Sequence, residues 1–237
     1  TNSKEIYYDE MKRKKAYLQD IPVDLENNSQ LLDILYNWLK KPVKSYQIVT
    51  LNAVMLVTAS RNLTLKEIIK KADLVTIDGY GVLLALQNLG YHNLEQFTGV
   101  DLTERLLEIS SKRGYSVYFL GGTPAVSKKL SEIIPVKWPG VLIDGIRDGY
   151  ECALTRAAII NEIMTKQPRL LLVGLGTPDQ ELFLAQVLPL LSGTVGIGIG
   201  GTFEVLSGFK RKAPKWIRKL GIEWGYRMLQ EPLKLRL

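Results

Sequence analysis

Residues 169–188 read RLLLVGLGTPDQELFLAQVL, and the way this stretch divides decides the fold. Arg169–Val173 is a short apolar run of the kind that a strand buried on both faces requires. It stops in Gly174-Leu175-Gly176-Thr177. Pro178 then stands where a first helical turn begins, and helical spacing continues to about residue 190. Strand, glycine-rich turn and helix recur along most of the chain. Further strands are expected at Tyr46–Leu51, Leu74–Ile77, Ser116–Leu120, Val141–Ile143 and Thr194–Ile199. Helices are expected near 53–60, 64–72, 81–89, 101–113, 124–134 and 151–166, with Pro124 opening one and Gly114 closing another. Residues 1–44 read as a polar, mostly helical opening segment, with Ser29 capping an amphipathic stretch through Leu31, Leu32, Ile34, Leu35 and Trp38. The pattern predicts an α/β, Rossmann-like domain with a mainly parallel sheet and helices on both faces.

Composition narrows the function. The chain has 237 residues, 46% of them hydrophobic, which suits a folded domain rather than a disordered one. No apolar run approaches the roughly 18 residues needed to span a bilayer, and the N-terminal residues show no secretory h-region, so neither a membrane span nor a secretory address is expected. One cysteine, Cys152, excludes an internal disulfide and a Cys-rich zinc site. One histidine, His92, excludes His clusters, and its loop-like surroundings assign it no catalytic part. There is also no Asp-x-Asp, the short acidic motif with which many sugar-nucleotide enzymes hold a divalent cation. Metal-free chemistry without a cofactor is the expectation.

The net charge of +7 is not spread evenly. Nine basic and two acidic residues fall in 209–237, while the first 208 residues carry 22 of each sign. The chain therefore divides into a neutral core, 1–208, and a basic appendage, 209–237. Within the appendage Ile217, Leu220, Trp224 and Met228 share a helical stripe flanked by Lys215, Arg218 and Lys219. A basic amphipathic helix with tryptophan on its apolar side suits an anionic membrane surface. Packing of the stripe on the protein's own core is the alternative. Nucleic-acid binding is disfavoured by the neutral core and the absence of a recognised motif.

In an open parallel sheet, ligands bind beyond the carboxyl ends of the strands. Those ends hold Thr50-Leu51-Asn52, Asp78-Gly79, Gly121-Gly122-Thr123-Pro124, the Gly174–Glu181 run and Gly198–Thr202. Together they point to a phosphate-bearing ligand held by backbone N–H groups. Each also has a plain structural reading: turn glycines, and Asp78 as a helix cap. Residues 196–201, Gly-Ile-Gly-Ile-Gly-Gly, match G-x-G-x-x-G in form only. They lie inside the last apolar run, so close backbone packing at a strand end is the expected meaning.

Taken in order, Thr50-x-Asn52, Asp78-Gly79-x-Gly81, Thr98-Gly99-x-Asp101-Leu102, Leu120-Gly121-Gly122, Val173-Gly174-x-Gly176-x-Pro178-x-Gln180-Glu181, Gly200-Gly201, Lys212-Ala213-Pro214 and Leu220-Gly221-x-Glu223-Trp224-x-x-Arg227 resemble the WecG/TagA/CpsF glycosyltransferases. The resemblance runs from about residue 20 through nearly the whole chain. It implies an inverting, metal-independent enzyme that moves N-acetylmannosamine from its UDP donor. The implied acceptor is N-acetylglucosamine on undecaprenyl diphosphate at the cytoplasmic membrane face, as in wall teichoic acid linkage-unit synthesis. Transfer of a different UDP-sugar, or a non-enzymatic nucleotide-binding module, is the alternative. By the same resemblance Asp78 is the general base and Thr50 and Asn52 hold the donor sugar or acceptor. Gln180 contacts reacting groups, and Arg227 neutralises the leaving diphosphate. Gly121, Gly122, Gly174, Gly176, Gly200, Gly201 and Glu204 are the expected UDP-sugar contacts. The chain departs from the family pattern at Gln96-Phe97, where an arginine is usual before Thr-Gly-x-Asp, and at Glu204, where an aspartate is usual. The implied partners are the UDP-sugar, the lipid-linked acceptor and an anionic membrane surface, with no nucleic acid and with room for a homo-oligomer.

Overall fold

A computed structural model describes residues 13–150 and 153–214, together with Ile217 and Tyr226. The apolar runs become β3 (Tyr46–Leu51), β4 (Leu74–Ile77), β5 (Ser116–Gly121), β6 (Leu142–Arg147), β7 (Leu170–Gly174) and β8 (Val195–Gly198). They form one wholly parallel sheet in the order β4-β3-β8-β7-β5-β6. Strands β3, β4 and β8 are buried at every residue, which explains their largely apolar sequence, with Gln47, Thr50 and Thr76 the buried polar exceptions. The edge strand β6 is longer than the expected Val141–Ile143 and is mostly half-exposed or exposed. A register shift between Val117 and Tyr118 accommodates it on β5.

Helices cover both faces. Helices α1 (Asn28–Lys40), α5 (Gly99–Arg113), α6 (Pro124–Lys137) and α9 (Thr202–Leu206) pack against Ile48, Leu74, Phe119, Leu172 and Ile197. Helices α2 (Ala53–Arg61), α3 (Leu63–Lys71) and α4 (Tyr80–Asn88) meet Val49, Leu51, Val75 and Ile77 on the opposite face. There α7 (Ala153–Lys166) and α8 (Asp179–Val187) cover Tyr118, Leu120, Leu171 and Val173. Neighbouring residues of one strand thus serve opposite layers, as the period of two demands.

Local chemistry sets the joints. Gly114 closes α5 in the left-handed conformation (φ 65°), and Thr123 caps α6 ahead of Pro124. In β8 the two glycines Gly196 and Gly198 face α8. A Cβ on Gly196 would lie 2.8 Å from Leu184 Cδ2 and 2.9 Å from both δ-carbons of Leu188. The G-x-G-x-x-G look-alike is therefore a packing device that lets α8 lie close on the strand.

Two expectations for the opening segment are corrected. Residues Lys15–Leu18 (β1) and Ile21–Asp24 (β2) form an antiparallel hairpin, not helix. The turn residues Gln19 and Asp20 both have positive φ (51° and 65°), as a two-residue primed turn needs. Ala16, Leu18, Ile21 and Val23 share one face of the hairpin and bury it against the α2–α4 layer, while Tyr17 and Pro22 point the other way. Asn27, two residues earlier than expected, caps α1 by accepting from Gln30 N while Gln30 accepts from Asn27 N.

Candidate active site at the carboxyl rim of the sheet

Because all six strands run the same way, their carboxyl ends share one rim. Along it the order is Asp78, Asn52, the Gly200 loop, the Gly176 loop and Gly122. At about 4.8 Å per strand, Asp78 is one spacing from Asn52, two (~10 Å) from the Gly200 loop and four (~19 Å) from Gly122. The five ends lie in a row rather than at a point, which suits an elongated ligand laid across the strands.

At one end of the row, Thr50 is buried and its hydroxyl donates to Gly198 O at 3.2 Å. Asn52 caps α2, its Oδ1 accepting from Met55 N at 2.9 Å. Asp78 is half-buried, its N–H donates to Leu51 O at 2.9 Å, and the chain turns at Gly79 with φ 87°. A Cβ on Gly79 would meet nothing within 4 Å, so the backbone beside Asp78 borders open space. The first residue of α5 reaches the same place. A Cβ on Gly99 would lie 3.5 Å from Thr202 Oγ1 and 3.7 Å from Thr50 Oγ1. Thr98 caps that helix, and its hydroxyl donates to Asp101 Oδ2 at 2.7 Å. Two hydroxyls and a 15-residue helix's N-terminal end thus meet between β3 and β8. Neither Gly99 nor Thr202 is among the site residues expected from the sequence. Their only signal was the motif each belongs to.

The rim glycines fall into two kinds. Gly121, Gly122 and Gly174 are packed against other atoms: a Cβ would meet Gly174 O at 2.4 Å, Val126 Cγ1 at 2.8 Å and Phe203 Cδ2 at 2.8 Å respectively. Gly176 and Gly200 have positive φ (82° and 50°) and open space where a side chain would be. Gly201 is intermediate, with Glu204 Oε2 and Lys210 Nζ both 3.6 Å from its Cβ position. The backbone at Gly176 and Gly200 thus borders open space, and Gly201 is exposed.

Between those two loops lie Gln180 and Glu181, the second and third residues of α8. Gln180 is buried, and its Oε1 accepts from Gly200 N at 2.9 Å while its Nε2 donates to Glu181 Oε1 at 2.7 Å. Glu181 is 1% exposed. Burial pushes its carboxyl up to about 7, against the opposing pull of the Gln180 amide and the Thr177 side chain. It is the buried acid of the rim, and its sequence position beside Gln180 gave no hint of that burial.

The start of the basic segment is fastened to the core. Glu204, in the first turn of α9, pairs with Lys210 at 3.7 Å. Lys212 Nζ lies 2.7 Å from Asp101 Oδ1 and 2.8 Å from Glu104 Oε2. Burial alone would lower the Lys212 pKa, but the two carboxylates outweigh it and raise it. Ala213 and Ile217 are buried. Arg227, Leu220, Trp224, Met228 and Cys152 lie outside the described residues. His92 is exposed on its loop. Among the described residues no group of three or more His, Cys, Asp or Glu side chains is placed to hold a metal ion, and no helix is long and apolar enough to cross a membrane. Compared with known families, residues 16–236 match the model described as the glycosyl transferase WecG/TagA/CpsF family.

Proposed function

From the premise that the chain belongs to the WecG/TagA/CpsF glycosyltransferases, which makes it a transferase with a sugar donor and an acceptor, we propose that it moves N-acetylmannosamine from UDP to undecaprenyl-diphosphate-linked N-acetylglucosamine with inversion. One observation carries this reading: the half-buried Asp78 ends β4 beside open space, on the rim that also bears the open loops at Gly176 and Gly200.

In the proposed step an acceptor hydroxyl oxygen attacks the anomeric carbon while the bond from that carbon to the diphosphate oxygen breaks. The hydroxyl proton passes to Asp78, and UDP leaves with the bonding electron pair. A positioned base of this kind contributes about 10²–10⁴-fold. Thr50 and Asn52 orient the sugars, and Gln180 shapes the far wall. The N-terminal end of α5 and the backbone at Gly176 and Gly200 meet the developing negative charge, with Arg227 adding a cation from the tail. Gly201 and Glu204 flank the nucleotide. Gly121, Gly122 and Gly174 serve it indirectly, by letting β5, β7 and α9 pack closely enough to form the rim. The reading takes the reaction to be metal-independent, because the sequence lacks Asp-x-Asp. It places the enzyme at the inner face of the cell membrane, held peripherally by the basic segment 209–237.

The test is UDP release from a panel of UDP-sugars, assayed with a prenyl-diphosphate-linked N-acetylglucosamine analogue. UDP-N-acetylmannosamine is expected to be turned over fastest, and Asp78→Ala to fold normally while losing at least 10²-fold in turnover. Near-normal rates in that variant would remove Asp78 as the base. Release with another sugar alone would replace the donor.

A further inference from the structure

The Gln180–Glu181 pair has a geometry that the transfer step above does not use. Glu181 lies under α8 against β8, at the point where the strand carries no side chain. A Cβ on Gly198 would fall 2.7 Å from Gln180 Nε2 and 3.0 Å from Glu181 Oε1. The Glu181 peptide oxygen accepts from Gln47 Nε2 at 3.3 Å, which ties this turn of α8 to β3. Oε1 accepts from Gln180, while Oε2 has no partner at hydrogen-bond geometry and only the weaker pull of the Thr177 side chain nearby. A carboxyl buried with half its hydrogen-bonding capacity unused is costly, and a leucine would fill the same space without that cost. Its presence calls for something an apolar side chain does not supply.

That something is polarity at one end of an amide. The Gln180 side chain has a donor end and an acceptor end, and only the acceptor end can hold the Gly200 N–H. Nothing in the amide's shape prefers one orientation over the reverse. The Gly200 N–H selects the acceptor end, and Glu181 holds the other: its Oε1 accepts from Nε2 in the carboxylate and in the acid that carries its proton on Oε2. We propose that Glu181 is a positioning residue: it orients the Gln180 amide so that Oε1 holds the Gly200 N–H, and thereby sets the β8–α9 loop at the rim. With an apolar residue at 181 the buried Nε2 would have no partner, and the amide, held by the Gly200 N–H alone, would turn away to find one. The loop would then lose its tether for part of the time. The consequence for catalysis rests on the reading of that loop as part of the donor site. The orientation itself does not.

Amide hydrogen exchange resolved at Gly200 reads the tether directly. In Glu181→Leu, exchange at Gly200 should rise at least tenfold relative to Ile197 on the same strand. In Glu181→Gln, whose carboxamide oxygen can still accept from Gln180, it should stay within threefold of the unaltered protein. The Km for the UDP-sugar should rise about fivefold in the leucine variant, with the acceptor Km unchanged, and should return in the glutamine variant. Unchanged Gly200 exchange in Glu181→Leu overturns the proposal, as does a general rise over α8 and β8 that Glu181→Gln shares. Faster Gly200 exchange with unaltered UDP binding leaves the positioning intact and overturns the loop's place in the donor site. If the leucine variant does not fold, Gln180→Leu removes the acceptor directly. It must raise Gly200 exchange by the same factor, and equal exchange there also overturns the proposal.

Discussion

Bringing the pH up through neutrality should weaken this fold, and a single side chain should account for a measurable part of the loss. Glu181 ionises near its ordinary 4.5 in the unfolded chain but near 7 in the folded one, chiefly because burial strips its carboxylate of water. Between those values the folded protein keeps a proton that the unfolded chain has released. The stability this group contributes is therefore complete below about 4.5 and is lost as the pH rises through about 7. At about 1.4 kcal/mol for each pH unit between the two values, the full loss is about 3 kcal/mol. That is large against a total of roughly 5–15 kcal/mol for an ordinary domain. Glu181→Gln keeps the shape and removes the titration. Urea unfolding of both proteins at pH 5.5, 6.5, 7.5 and 8.5 isolates the group, because Asp24, raised by burial, and Glu104, lowered by Lys212 and Lys137 despite its burial, are common to both and cancel. The stability of the variant relative to the parent should climb by about 2 kcal/mol across the series, nearly all of it below pH 7.5. Two curves that stay parallel would refute the reasoning and mean that Glu181 is ionised within the fold at every pH tested.

Three further outcomes are expected. Gly198→Ala forces a methyl against the hydrogen-bonded Gln180 and Glu181, so it should cost about 1–3 kcal/mol and also raise the donor Km; Gly196→Ala meets only leucine δ-carbons and should lower stability alone, both by urea titration and steady-state kinetics. Lys212→Ala strips a shared cation from Asp101 and Glu104, and because the lysine is about one-third exposed the loss should be about 1 kcal/mol, largely recovered in Lys212→Arg. Truncation after Pro214 removes six basic and two acidic residues and should weaken binding to anionic vesicles at least tenfold while the core still melts cooperatively; undiminished vesicle binding would refute the tail's proposed role.

The inner strands were legible because burial on both faces leaves little freedom of composition. Tyr46–Leu51 and Leu74–Ile77 could be bounded to the residue, since each is mostly apolar and is followed by a polar residue, Asn52 or Asp78, where the strand leaves the sheet. The hairpin at 15–24 was not, because its strands are four residues each, lie among lysines, and turn through Gln19-Asp20 without a glycine. β6 was cut short at Ile143, because an edge strand tolerates Asp144 and Gly145 where an inner one would not. At the rim the sequence marks glycines but not their surroundings. Gly121 is filled by Gly174, 53 positions away, and Gly200 is left open; only the order of strands separates the two cases. Glu181 stands beside Gln180 in the same motif, and nothing in a linear string distinguishes a buried acid on a helix from a solvated one.

The strand order has a consequence for biosynthesis. Among the described residues β8 is the last strand to be made, yet it sits between β3 and β7 and is all that joins the β3–β4 pair to the β7–β5–β6 group. While the ribosome is still working towards residue 195, the nascent chain can hold only two half-sheets, each with an unpaired inner edge. Closure, and with it the Gly200 loop, waits until Val195–Gly198 has been made. A chain stalled before that point should be recognised by chaperones as unfinished, however well its earlier segments have folded.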